Sequence, residues 1–187
     1  MLHTRVYLLP VWIVMATLTV GPAAGAETSP PNLCAEDYCS PPMQSIYDEF
    51  SRLQTAPAAA DRAQVFSGEC YNDGYFSDPS QPSYGLTLLD PKGSDVQFGT
   101  IFTFGPTTNP HSSLDVSQAR KTLRSSGSNP RVVSQQADLF NVEYGSDSTS
   151  IRYWMRLNPE TGDLLLVNLG TYGDYGRSRI FCRLKPH

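Results

Sequence analysis

The spacing of apolar residues changes once along the chain, near residue 65. Before that point, apolar residues recur at three- and four-residue intervals: Met43, Ile46, Tyr47, Phe50 and Leu53. This spacing places them on one face of an amphipathic helix. Ser40 is a good N-cap residue, and Pro41 suits the first turn of a helix. We therefore predict a helix over residues 42 to 54.

From residue 65 onward, apolar and polar residues alternate, which is typical of β-strands with two different faces. Seven runs have strand composition: residues 65–71, 84–89, 96–104, 131–144, 150–157, 164–169 and 177–184. The segment from Asp90 to Asp95 carries Pro and Gly in turn positions, so the second and third runs should form a hairpin. The apolar residues within 113–125 predict a second short helix.

The N-terminus has the three parts of a secretory signal peptide. Arg5 precedes an apolar stretch from Val6 to Val20, and small residues then lead to the predicted cleavage site after Ala26. The stretch is shorter than the roughly 20 residues that a transmembrane helix needs. We therefore predict a secreted or periplasmic protein with no transmembrane span in the mature chain. The predicted division is residues 1–26 as signal peptide, 27–60 as N-terminal tail, helix and linker, and 61–187 as β domain.

An even number of cysteines in an exported chain predicts disulfides. They are Cys34, Cys39, Cys70 and Cys182. Four cysteines allow three pairings, and the sequence alone does not choose among them. We predict Cys34 with Cys39 and Cys70 with Cys182, because alternation turns Cys70 and Cys182 inward on the first and last strands. That second bridge would contribute roughly 4 to 5 kcal/mol by restricting the unfolded chain. The spacing does not suit a zinc site.

This pattern of elements predicts a mainly β fold, an antiparallel meander that closes into a barrel or a strongly curved sheet. The alternative is an α+β cone, in which helices pack into the concave face of the sheet. In strand number and order, residues 65–184 resemble calycin-type barrels such as the lipocalins, which carry an end-to-end disulfide. The Gly-x-Trp motif of the lipocalin first strand is absent, since the corresponding stretch reads Phe66-Ser67-Gly68-Glu69-Cys70-Tyr71. The resemblance therefore implies an architecture and no particular ligand.

Charge and missing motifs argue against several classes of function. The formal net charge is −4, which is unfavourable for nonspecific nucleic-acid binding. His111 lies in a predicted loop and His187 ends the chain, so a Ser-His-Asp site has no well-placed base. No cofactor-binding motif is present. Asp138, on a strand face with Phe140 and Val142, is the candidate acid or base of an enzyme, although an ion pair with an arginine is its commoner role.

Arginines are concentrated in the last strands: Arg152, Arg156, Arg177, Arg179 and Arg183. Guanidinium groups bind anions well, so these residues could form a patch for an anionic ligand or partner. The simpler interpretation is a solvated outer face, on which they balance Glu143, Glu160 and Asp163. Trp154 lies among the arginines, which indicates that this face is partly covered.

Aromatic and other apolar residues are the candidate ligand contacts. Strand alternation selects Phe98, Phe102, Phe104, Phe140, Tyr153 and Met155, and a glycine-rich loop presents Tyr172 and Tyr175. The same side chains could fill a small barrel with no cavity. We interpret the chain as a noncatalytic binding protein for a small apolar or amphipathic ligand. The alternative is an envelope interaction or structural protein, an inhibitor or accessory subunit, that uses its sheet surface or aromatic loops.

Overall fold

The computed structural model describes residues 32–35, 38–53, 62–73, 78–92, 95–133, 135–136, 139–143, 149–172 and 177–187. The predicted signal peptide lies outside these residues. Among the described helices, none is long and apolar enough to cross a membrane.

The described residues form two helices and nine strands. In chain order these are α1 (Pro41–Arg52), β1 (Gln64–Asn72), β2 (Ser83–Lys92), β3 (Asp95–Thr103), α2 (Val116–Ser125), β4 (Arg131–Val133), β5 (Gln135–Gln136), β6 (Leu139–Glu143), β7 (Thr149–Leu157), β8 (Leu164–Tyr172) and β9 (Arg177–Pro186). Both predicted helices are confirmed, with boundaries that differ from the prediction by at most three residues. The predicted hairpin is also confirmed, although Pro91 pairs with Val96 and the turn is tighter than the sequence suggested.

All nine strands belong to one antiparallel sheet, in the order β4-β3-β2-β1-β9-β8-β7-β6-β5. The first strand therefore lies in the middle and pairs with the last one. The two edge strands, β4 and β5, are separated in the chain by Ser134 alone. Because one short segment supplies both edges, the sheet must curl back on itself. The predicted mainly β fold with a strongly curved sheet is confirmed.

The concave side of the sheet is filled by apolar side chains. Its buried residues are Phe66, Cys70, Leu89, Val96, Phe98, Val133, Tyr153, Met155, Leu164, Leu166, Ile180, Cys182 and Leu184. The rings of Phe98 on β3 and Tyr153 on β7 meet edge to face across this interior, with centroids 5.0 Å apart. Cys70 and Cys182 are direct neighbours on β1 and β9 and form the predicted disulfide.

The helix α1 packs on the convex side of the sheet. Its apolar face joins a second buried cluster: Leu33, Met43, Ile46, Phe50, Trp154, Leu165, Val167 and Phe181. The burial of Trp154 confirms that this outer face is covered. Cys34 and Cys39 form the other predicted disulfide, in the loop that leads into α1. The residues before the β domain thus contribute to its packing.

The helix α2 covers the neighbouring part of the convex side. It buries a third cluster of Val65, Leu86, Leu88, Ala119 and Leu123. Asp115 is the N-cap residue of a capping box: its side chain accepts a hydrogen bond from the backbone N–H of Gln118, and the Gln118 side chain accepts one from the backbone N–H of Asp115.

Arg120 and Lys92 both form ion pairs with buried Asp90. Burial alone would raise the pKa of Asp90, but these two cations outweigh it and lower the pKa.

The predicted single strand over residues 131–144 is wrong. The first residues of this run pair with β3 as β4, whereas Gln135 and Gln136 pair with Phe140 and Leu139 in a separate hairpin. A run that changes partners cannot remain one straight strand. Asp138 lies outside the described residues, so its suggested role stays a prediction.

Candidate functional site

One end of the curled sheet gathers the connections that follow β1, β3 and β8. The antiparallel registers place the end of β1, the start of β2 and the ends of β3 and β8 at this same end. We call it the open end. The loops that carry Tyr75, Phe76 and Tyr175 start from these strands, but those residues lie outside the described ones.

A cleft of about 480 Å³ lies at the open end. The described residues that line it are Asn72, Asp78, Gln81, Pro82, Ser83, Phe104, Gly105, Pro106 and Thr107. These residues come from the β1–β2 connection and from the segment that follows β3. The volume falls within the range of small-ligand sites, and the lining combines apolar surface with several polar groups.

Among the described residues of the cleft, Phe104 is the largest apolar side chain, and it is 56% exposed. Strand alternation grouped Phe104 with Phe98 and Phe102 on the inner face of the third strand, and this placement is wrong. The strand ends at Thr103, because Gly105 adopts a positive φ of 82° and Pro106 has no N–H to donate to a sheet. The Gly-Pro pair directly after Phe104 is the sequence signal that could have revealed this exposed position.

Hydrogen bonds fix the polar side of the cleft. The backbone N–H and hydroxyl of Ser80 both donate to Asp78 Oδ1, at 2.9 and 2.7 Å. These bonds lower the pKa of Asp78, so the carboxylate is charged at neutral pH. Ser83 donates to the Cys70 carbonyl, and the Ser178 hydroxyl donates to Asn72 Oδ1. The cleft thus pairs a phenyl ring with a fixed negative charge.

Four of the other predicted ligand contacts, Phe98, Phe102, Tyr153 and Met155, do not line this cleft. Phe98, Tyr153 and Met155 are buried in the interior, and half-buried Phe102 packs against them. An opening beside Phe98 and Tyr153 measures about 20 Å³, which is room for one water molecule. The side chains of Phe140 and Tyr172, and all of Tyr175, lie outside the described residues.

The arginines of the last strands act mostly within the chain. Arg183 pairs with Glu49 of α1. Arg156 stacks 4.3 Å from the centre of the Phe50 ring and donates to the Phe50 carbonyl. These partners differ from the predicted ones. The helix α1 lies over the strands, so its residues Glu49 and Phe50 supply the carboxylate and the carbonyl that bind the two arginines. Arg152 is exposed.

Arg179 is buried beneath the Cys34–Cys39 loop. It forms an ion pair with Asp73 and donates to the backbone carbonyls of Leu33 and Tyr38. Its Nη1 atom also lies 3.7 Å from Cys39 Sγ. One guanidinium therefore joins β9, the residue after β1 and both sides of the disulfide loop.

The histidines, which sequence analysis left without a role, converge on Ser67. His187 Nε2 lies 2.6 Å from Ser67 Oγ, and Asn109 donates to the same oxygen. Ser67 in turn lies 3.1 Å from the His111 carbonyl, to which its hydroxyl donates. Because the Ser67 hydroxyl donates its hydrogen to the His111 backbone carbonyl, it accepts from His187 Nε2, and His187 therefore does not take the proton of Ser67 in this arrangement. The cluster is suited to fastening the loop after β3 and the C-terminus to β1.

No protein-family model, curated protein or solved structure matches this chain. Within the described residues, no group of three or more His, Cys, Asp or Glu side chains could hold a metal ion.

Proposed function

We propose that this protein is an exported, noncatalytic binding protein that holds a small amphipathic ligand in the cleft at the open end of its curled sheet. The observation that carries the proposal is Phe104, more than half exposed in a cleft of about 480 Å³. The proposal moves the ligand from the interior, where side chains pack closely, to the end of the sheet.

The apolar part of such a ligand would lie against Phe104, Pro82 and Pro106. Fully burying a phenylalanine side chain is worth about 1.5 to 3 kcal/mol, so covering the exposed half of Phe104 favours binding by about 1 kcal/mol. The two prolines have fixed backbones and lose little conformational freedom when they are covered. This surface supports binding of an alkyl chain or a ring.

The polar part of the ligand would lie near Asp78. A charged carboxylate accepts hydrogen bonds and repels anions, so the cleft favours an ammonium or another hydrogen-bond donor. We therefore expect a cationic amphiphile to bind better than an anionic one with the same chain.

Two disulfides are consistent with an oxidising compartment. Together with the predicted signal peptide, they support a secreted or periplasmic site of action. There the protein would meet its ligand outside the cytosol.

A fluorescence titration with N-phenyl-1-naphthylamine tests the proposal. The probe brightens in apolar surroundings, and decylamine and decanoate then compete for its site. We expect saturable binding, displacement by decylamine before decanoate, and weaker binding in Phe104→Ala. Val132→Ala is the matched control, because Val132 is 59% exposed on β4 and does not line the cleft. Equal binding by both variants and wild type would contradict the proposal.

A second function, that of an interaction protein such as an inhibitor or accessory subunit, is favoured by Tyr38. Its side chain is 76% exposed, while its carbonyl is held by buried Arg179. An exposed aromatic side chain whose own backbone is held in place suits a protein contact. A stoichiometric protein complex that is lost in Tyr38→Ala and kept in Phe104→Ala would favour this function over ligand binding.

A further inference from the structure

The two disulfides have different surroundings. Cys70 and Cys182 join neighbouring strands and are completely buried in the interior. Cys34 and Cys39 close a loop with a sequence separation of only 5, and both are partly exposed. A thiol in solution can reach the Cys34–Cys39 bridge without unfolding of the sheet.

A buried positive charge lies next to one sulfur of the partly exposed bridge. Nη1 of Arg179 is 3.7 Å from Cys39 Sγ. The Asp73 carboxylate is bound through Nε and Nη2, so it occupies the other side of the guanidinium. A cation near a sulfur stabilises its thiolate, and a stabilised thiolate leaves faster in thiol–disulfide exchange.

The same arginine fixes the backbone on both sides of the bridge. It donates to the carbonyl of Leu33, directly before Cys34, and to the carbonyl of Tyr38, directly before Cys39. These hydrogen bonds do not involve the sulfur atoms, so they can persist when the bridge opens. The two thiols would then stay close enough to re-form it.

We propose that Cys34 and Cys39 form a reversible thiol–disulfide exchange site with a defined direction of attack. An incoming thiolate attacks Cys34 Sγ, the S–S bond breaks, and Cys39 leaves as a thiolate beside Arg179. A second thiolate of the same dithiol then attacks the mixed disulfide and releases Cys34. In the balance, the protein disulfide gains two electrons and the dithiol becomes a disulfide. The substrate class is a small or protein dithiol.

Limited reaction of the intact wild-type protein with cysteamine, a small monothiol, tests the direction of attack. The reaction is quenched with acid, free thiols are alkylated, and peptides are mapped by mass spectrometry. We expect the cysteamine adduct on Cys34 and the alkylated thiol on Cys39, while Cys70–Cys182 stays oxidised. An adduct mainly on Cys39, an even distribution, or reduction of Cys70–Cys182 at the same rate would overturn the proposal.

A matched pair of single variants tests the role of Arg179. Cys34→Ser leaves Cys39 as the free thiol, whereas Cys39→Ser leaves Cys34. At pH 7 we expect iodoacetamide to alkylate Cys39 at least several-fold faster than Cys34, with a pH profile displaced to lower pH. Replacement of Arg179 by Lys in the Cys34→Ser background keeps the charge and most of this rate, whereas Gln removes it. Equal rates and equal pH profiles for the two thiols would contradict the role of the guanidinium.

Discussion

Phe98 and Phe104 belong to the same run of alternating residues but have opposite environments. Phe98 is 4% exposed and meets Tyr153 inside the curled sheet, whereas Phe104 is 56% exposed in the cleft at the open end. The difference arises at Gly105 and Pro106, which end β3 one residue before Phe104. The same residue type thus supports the packed core in the interior and, in our proposal, contacts a ligand in the cleft.

If the interior supports stability, the largest loss in the free energy of unfolding should come from removing the interior disulfide. Replacing Cys70 and Cys182 together by Ala should lower the free energy of unfolding by about 4 kcal/mol, because the bridge closes a long loop of the unfolded chain. Urea denaturation measures the change. The corresponding double replacement of Cys34 and Cys39, which closes a short loop, is the control and should cost clearly less.

A single interior side chain should have the next largest effect. Met155 is completely buried, so Met155→Ala should lower the free energy of unfolding by about 3 kcal/mol. Val132→Ala, at an exposed apolar position, should change it by less than about 0.5 kcal/mol. Similar losses in the two variants would mean that the interior is not the stabilising core.

Lowering the pH should have an intermediate effect on stability through His111. This residue lies in the segment after β3, which also contributes residues to the cleft. Burial lowers the pKa of His111, whose Nε2 lies 2.9 Å from the Thr103 hydroxyl. The unfolded state therefore binds a proton more readily than the folded state. The contribution of the neutral His111 side chain to stability is therefore complete above about pH 6.5, the pKa of histidine in the unfolded chain. This contribution is lost as the pH falls towards the lower pKa of His111 in the folded protein.

Urea denaturation of wild type and His111→Gln between pH 7.5 and 5 measures this dependence. The variant should show a flatter dependence on pH. Thr103→Val, which removes the hydrogen bond and keeps the imidazole, is the control and should retain the dependence. An equally steep dependence in His111→Gln would assign it to another group.

The smallest effect on stability is expected in the cleft itself. Phe104→Ala should change the free energy of unfolding by less than about 0.5 kcal/mol, because the ring is largely in solvent. A loss above about 2 kcal/mol, measured by the same denaturation, would show that Phe104 supports the core.

Local patterns in the sequence were sufficient for much of the fold. The spacing of Met43, Ile46 and Phe50 predicted α1, and the inward positions of Cys70 and Cys182 predicted a bridge between the first and last strands. These features depend on neighbours along one element or on alternation within a strand. The structure confirms both features, with α1 over Pro41–Arg52 and Cys70 bonded to Cys182.

Apart from the Cys70–Cys182 bridge, the features that depend on distant contacts were not predicted. The sequence does not show that the run from residue 131 changes partners, because pairing with β3 is a tertiary choice. It does not show that Arg179 meets Leu33, Tyr38 and Cys39, which lie about 140 positions earlier in the chain. The cleft was missed for the same reason, since it joins two connections that meet only when the sheet has formed.

Native mass spectrometry of the protein purified from its producing cells tests the central claim most directly. Wild type and Val132→Ala should carry a small-molecule mass excess that disappears on denaturation, and Phe104→Ala should carry much less of it. The same excess in all three proteins would place the ligand elsewhere. No excess in any of them, together with no binding of N-phenyl-1-naphthylamine, would contradict the ligand-binding function.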